Sequence, residues 1–211
     1  MQVRSLIRRP FRYSNRNVVL WLIAVNVVIF AATYVLPSLN YVFAMNPMGV
    51  LSGRFWQVFT YMFAHANLSH LFLNMLGLFF FGTQIERELG SSEFLLFYLL
   101  TGLLAGVFSF VVYMATGSYQ VFLLGASGAV YAVLLAFATI FPRAEIYIWG
   151  ILPLRAPLLV IGYTLIEIGS QLFSYRSSVA HLTHLAGFGF AWLYFLARFG
   201  INPVKRFFPP R

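Results

Sequence analysis

Long apolar runs alternate with short polar breaks along this chain. A membrane-crossing helix needs about 20 mostly apolar residues. Six segments have that character, at roughly 18–37, 68–85, 94–116, 120–141, 156–174 and 179–197, and none holds more than one charged side chain. Two further apolar stretches, 56–64 and 146–153, are too short to span and are expected in the interface; the second ends at Pro153 and Arg155. The first run begins near Val18, is long enough to span and lacks a small-residue cleavage site, so it is predicted to be a span and not a cleavable signal peptide. No internal repeat or low-complexity linker divides the chain. The pattern predicts an all-α membrane protein. A single compact six-helix bundle over residues 18–197 would be flanked by a basic N-terminal segment, 1–17, and a basic C-terminal tail, 198–211.

Composition sharpens this picture. The 211 residues are 61% hydrophobic and only 9% charged, against roughly 25% charged in soluble domains. The 24 Phe, 12 Tyr and 4 Trp suit lipid-facing surfaces and interfacial belts. Cysteine is absent, which excludes disulfides and thiol chemistry. Aspartate is absent too, so the side-chain carboxylates are Glu86, Glu88, Glu93, Glu145 and Glu167. A Ser-His-Asp triad is impossible, and a Ser-His pair would have to work without an Asp. The net charge of +9 does not point to nucleic acid, because the basic residues gather at the ends, Arg4 to Arg16 and Arg198 to Arg211. That is the distribution of cytoplasmic flanks, aided by anionic headgroups of the lipid bilayer.

Lys and Arg placement also sets the orientation. With the N-terminus inside, all 14 basic residues except Arg54 and Arg176 face inward, so both termini are expected to be cytoplasmic. The second, fourth and sixth spans then run from outside to inside. His70 and Asn74 lie near the start of the second, Ser127 near the start of the fourth, and His184 near the start of the sixth. At 1.5 Å per residue, each falls on the order of 5–12 Å below the outer surface. Topology thus brings a hydroxyl, imidazoles and an amide to one depth. A polar group there is costly unless it is satisfied, which suggests chemistry inside the membrane.

Each motif has two readings. Gly125-Ala126-Ser127-Gly128 is either a small-residue packing face or a nucleophile, Ser127, whose small neighbours admit a base and a substrate backbone. In His181-Leu182-Thr183-His184-Leu185-Ala186-Gly187, the two imidazoles share a face. They are either a satisfied polar pair, a metal site, or a base for Ser127. The metal reading is poor, with no carboxylate or Cys expected nearby and no HExxH motif. As a base, His184 is better placed, since Gly187 and Ala191 on its face permit close approach to the fourth span, whereas His181 is expected at the water-filled mouth. His70 and Asn74, one turn apart, are either interhelical hydrogen bonders or oxyanion donors, with the Ser127 N–H as a further donor. Tyr131 is either an interior aromatic or a ring that stacks on His184. Glu167 is expected to be structural, neutral or hydrogen-bonded, and Glu86-Arg87-Glu88 a solvated cap.

In order and at these spacings, several pieces form one pattern. They are Trp56 with Thr60 and Phe63-Ala64-His65; His70 with Asn74; Glu86 with Leu89-Gly90-Ser91; Tyr98 with Gly102; Gly125-Ala126-Ser127-Gly128-Ala129-Val130-Tyr131; and Ala180-His181 with His184, Gly187 and Ala191. Across about residues 50 to 195 the chain resembles the rhomboid intramembrane serine proteases. It departs in having Gln57 after Trp56, where Arg is usual, and Ala191, where Gly is common.

The resemblance implies a six-transmembrane-helix bundle with a half-embedded first outer loop and a fifth helix acting as a lateral gate. It implies Ser127 as nucleophile and His184 as base, His70 and Asn74 at the oxyanion hole, Tyr131 packed on His184, and Gly125, Gly128 and Gly187 in support. No cofactor and no metal is expected. The partners would be transmembrane protein substrates with small residues at the scissile position and helix-breaking residues near it. The expected location is an integral, multi-pass protein of a prokaryotic inner membrane. The competing readings are a catalytically inactive relative that binds membrane proteins, which would be expected to lack the Ser or the His, and a small transporter. A transporter needs a polar path through the inner halves of the fourth and sixth spans, 132–137 and 190–195, which are almost wholly apolar.

Overall fold

The computed structural model describes residues 11–148, 150–173 and 178–207. The basic residues Arg4, Arg8, Arg9, Arg176 and Arg211 used above lie outside the described residues. The main helices are α1 (Val18–Val35), α2 (Leu68–Leu89), α3 (Ser91–Ala115), α4 (Ser127–Ile140), α5 (Ala156–Phe173) and α6 (Ser178–Tyr194). One π-helical turn, Leu78–Gly82, lies within α2, and another, Phe195–Phe199, follows α6. Short helical turns fill the connection between α1 and α2.

Among the described residues, α1, α2 and α3 are long and apolar enough to cross a membrane. The protein is therefore predominantly helical, with the features of a multi-pass membrane protein. Two expectations change. The stretch 146–153, expected only to lie in the interface, belongs to a hairpin: β1 (Glu145–Ile148) pairs antiparallel with β2 (Leu152–Arg155), turning at Gly150, whose φ is 70°. The bundle is thus not purely α. Second, α4 begins at Ser127 instead of near residue 120 and has only 14 residues.

α4 is the centre of the bundle. Gly128, Ala129 and every residue from Ala132 to Thr139 are buried, so it is enclosed on all sides. α6 packs against α3, α4 and α5. The crossing of α4 and α6 is very close. A Cβ at Gly187 would collide with the Gly128 carbonyl oxygen, and one at Gly128 would meet Thr183 Cγ2 at 3.3 Å. Small residues let helices approach in this way.

The other end of the bundle is fastened by carboxylates. Glu86 accepts from the Val18 N–H at 2.7 Å and the Val19 N–H at 3.0 Å, supplying the orphan donors of the first turn of α1. It also accepts from the Ser91 hydroxyl. Glu86 is buried, and so is not the solvated cap expected from sequence; its neighbours in the chain hide that it serves a different helix.

The first loop is held by side chains that bond one short run of main chain. The Gln57 amide donates to the Tyr41 carbonyl at 2.9 Å, the Trp56 indole to Val42 at 3.0 Å, and the Thr60 hydroxyl to Phe43 at 2.8 Å. Gln57 also accepts from the Asn46 N–H at 3.2 Å and is fully buried. The residue that departs from the family pattern is therefore itself an anchor of this loop.

Candidate active site

The approach to Ser127 is pinned by the first loop. Leu123 pairs with Met45 in an isolated antiparallel bridge, and the Gly125 N–H donates to the Tyr61 carbonyl at 2.9 Å. The Ala126 N–H points at Nε2 of His65, 3.4 Å away. Burial, and then the neighbouring His70, push the pKa of His65 down to about 4, so its ring is neutral and can accept. Gly125 has φ 122°, and a Cβ there would lie 2.6 Å from His70 Cε1. Only glycine suits both the backbone angle and the ring. The helix starts immediately afterwards, so the N–H groups of Ser127 and its neighbours belong to the first turn, where no carbonyl four residues back takes them. A helix starting near residue 120 would have consumed the Ser127 N–H internally.

His184, on α6, meets Ser127 across the glycine crossing. Its Nε2 lies 2.7 Å from Ser127 Oγ, and its ring stacks on Tyr131 with centroids 4.3 Å apart and planes at 17°. On the far side, Nδ1 lies 2.8 Å from Oε1 of Glu167 on α5. The same oxygen accepts from the Tyr131 hydroxyl at 2.5 Å, and Oε2 pairs with His181 Nδ1. The His184 side chain is 20% exposed and that of Glu167 only 5%. Serine hydroxyl, imidazole and carboxylate thus stand in line, with the carboxylate buried and the imidazole partly exposed. One sequence expectation is corrected here: a carboxylate does stand beside the imidazole pair, and both His181 and His184 bond Glu167.

His70 lies against Gly125, and its ring meets that of His65 edge-on at 5.2 Å. Asn67 caps α2, accepting from the His70 N–H at 2.8 Å. Asn74, buried one turn below, donates to the His70 carbonyl at 2.8 Å; its amide carries a second N–H. The structure therefore brings Ser127, His184, Tyr131, Gly128 and Gly187 together directly, and sets His70 beside them through Gly125. Sequence reasoning missed Glu167 as a partner, and His65 as the residue that fixes the loop. One signal was present: Glu167 and His184 lie equally far on either side of the polar break near residue 175, so an antiparallel fifth and sixth helix would face them.

Among the described residues, Glu167, His181 and His184 form the group with metal-ligand types, their ligand atoms within 4.8 Å of one another. A tetrahedral zinc would hold such atoms roughly 3.3 Å apart, given bonds of about 2.0–2.1 Å. The 2.8 Å contact between His184 and Glu167 is instead that of a hydrogen bond, so the arrangement suits proton handling better than metal binding.

Comparison with known proteins places this geometry in context. The family model for the rhomboid domain matches residues 52–200. The chain is 35% identical over 201 residues to RHOMBOID-like protein 12, mitochondrial, of Arabidopsis thaliana, covering 85% of this chain and 58% of that one. It is 34% identical over 138 residues to the human presenilin-associated rhomboid-like protein, mitochondrial, covering 64% and 35%. A third relative, the putative rhomboid protease YdcA of Bacillus subtilis, is 33% identical over 86 residues, covering 41% of each. The chain thus spans less than two thirds of the length of each. Two of the three bear a mitochondrial name, so the expectation of a prokaryotic inner membrane is not supported.

Proposed function

The chain belongs to the rhomboid family, and on that premise we propose that it is an intramembrane serine endopeptidase, with Ser127 as nucleophile and His184 as base. The observation that carries this reading is the 2.7 Å contact between Ser127 Oγ and His184 Nε2, at the first turn of a helix. In this mechanism Nε2 takes the hydroxyl proton as Oγ attacks the scissile carbonyl, and returns it to the leaving amine. The first-turn N–H of Ser127, the helix dipole and the side chains of His70 and Asn74 stabilise the negative oxygen. Water reaching the exposed edge of His184 then hydrolyses the acyl-enzyme by the same route.

The substrates would be transmembrane or membrane-proximal segments of other membrane proteins. A helical substrate must first unwind, because its own hydrogen bonds and side chains shield its peptide bonds; helix-breaking residues near the cut would favour this. Six spans, α1 to α6, with both termini cytoplasmic, accommodate the reading. The 14 residues of α4 make a helix of about 21 Å, short of a hydrocarbon core of about 30 Å by ~9 Å. That deficit would leave a wet recess above Ser127.

The test is direct. A fluorophosphonate probe should label the wild type in liposomes and fail to label Ser127→Ala, and a transmembrane peptide should be cut by the first and not the second. A well-folded wild type that neither labels nor cuts any transmembrane peptide overturns the proposal in favour of a binding role.

A further inference from the structure

The chain has no aspartate to complete a serine-protease triad. The geometry points to Glu167 as a positioning residue that turns the Ser127–His184 pair into a Ser–His–Glu relay; this rests on the serine-protease reading above. Oε1 of Glu167 lies 2.8 Å from His184 Nδ1, on the ring edge opposite Ser127. A carboxylate in that place has two effects. It holds the hydrogen on Nδ1, which leaves the Nε2 lone pair facing Ser127. It also stabilises the imidazolium formed once the serine proton arrives. The proton balance is simple: the hydroxyl proton moves to Nε2, the Nδ1 hydrogen stays where it is, and Glu167 remains a carboxylate throughout.

The surroundings show that Glu167 is itself held. Its side chain is 5% exposed. Tyr131 donates to Oε1 at 2.5 Å while its ring stacks on His184, and His181 engages Oε2. A buried carboxylate with three donors is fixed in both charge and direction. Its neighbours on the same helix are different: Leu165, Ile166 and Ile168 are exposed. Glu167 is thus the inward-facing acid of an outward-facing apolar stretch. A helix needed only to shield the bundle would gain more from an apolar residue at this position, since burying a carboxylate is costly. The acid is explained if it works on His184. It also means that the relay exists only while α5 is docked.

The experiment uses the full chain in liposomes, a quenched-fluorescent transmembrane peptide as substrate, and Glu167→Gln, which keeps the shape and removes the charge. The titratable groups facing His184 are His70 of α2, Tyr131 of α4, Glu167 of α5 and His181 of α6, with Tyr163 of α5 behind Tyr131; all but Glu167 are retained. The expected result is a fall in kcat on the order of 10²-fold or more, with KM changed less than about threefold. The acid limb of the pH–rate profile moves to lower pH, because the imidazolium has lost its counter-charge. Glu93→Gln, at the other end of the bundle, serves as control; it lowers thermal stability and leaves the limb in place.

A kcat within tenfold of wild type, or a larger fall with an unmoved limb, reduces Glu167 to a structural staple and overturns the proposal. If Glu167→Gln does not fold, ¹⁵N NMR of the wild type decides: hydrogen on Nδ1 of His184 supports the relay, and hydrogen on Nε2 overturns it. A wild type without hydrolysis or labelling fails earlier, on the serine-protease reading, and so is distinguished from failure of Glu167 alone.

Discussion

The two ends of this bundle both bury carboxylates, and they satisfy them by opposite means. Away from Ser127, Glu93 receives Nε and Nη2 of Arg198 at 2.7 Å each and the Tyr194 hydroxyl at 2.5 Å. Glu86, at the same end, receives main-chain N–H groups. Near Ser127, Glu167 receives two imidazoles and a phenol. A guanidinium keeps its charge under all ordinary conditions, whereas an imidazole exchanges its proton near neutrality. Fixed partners make a clamp that holds α3 to the end of α6. Exchangeable partners around the same kind of acid make a place where protons can move. On the proposed function, chemistry and stability are assigned to opposite ends of the same helices.

The sharpest way to break this contrast is to alter one end and read both functions. Ser127→Ala and His184→Ala should each lower hydrolysis of a transmembrane peptide by on the order of 10⁴-fold or more, while thermal unfolding in detergent stays within a few degrees of wild type. Arg198→Met should do the reverse. It leaves Glu93 buried without its cation, at a cost of about 3–5 kcal/mol visible in thermal unfolding, while the folded fraction keeps kcat within about threefold. Gly187→Ala sets a methyl against the Gly128 carbonyl and links the ends. It should cost about 3 kcal/mol and also slow hydrolysis, because α4 and α6 must part; unchanged activity would show that the pair tolerates that separation.

Smaller effects refine the comparison. Glu86→Ala removes a cap of α1 and should cost about 1–2 kcal/mol, with no change in kcat. The first loop should show a pH dependence of its own. His65, with its pKa near 4 in the fold and about 6.5 when unfolded, binds a proton more readily in the unfolded chain. Stability from this group is complete above about pH 6.5 and falls as pH drops toward 4. Acid unfolding of wild type and His65→Gln should diverge across that window; parallel curves would remove His65 as the cause.

Much of the fold was legible because it follows from local rules. The apolar runs near α1, α2, α3, α5 and α6 mark real helices to within a few residues, since helix length and hydropathy are properties of contiguous sequence. The start of α4 was not legible. Residues 120–126 are as apolar as a helix, but Gly125 at positive φ and the bonds its N–H and that of Ala126 donate to Tyr61 and His65 keep them out of one. The β1–β2 hairpin was similarly disguised as a short apolar stretch. At the site, the spacing of Gly128 and Gly187 revealed which helices could cross closely, and hence why Ser127 and His184 were worth pairing.

By itself, the sequence determined that this chain belongs with the membrane, which helices it contains, and which residues were worth suspecting, because bilayer energetics make every intramembrane polar group conspicuous. The tertiary structure alone decided where the acids work. Glu86 caps a helix 67 residues away in the chain, Glu93 clamps Arg198, and Glu167 stands behind His184. A carboxylate looks the same wherever it is written. Its role depends on which donors reach it, and helix packing brings those donors from distant parts of the chain.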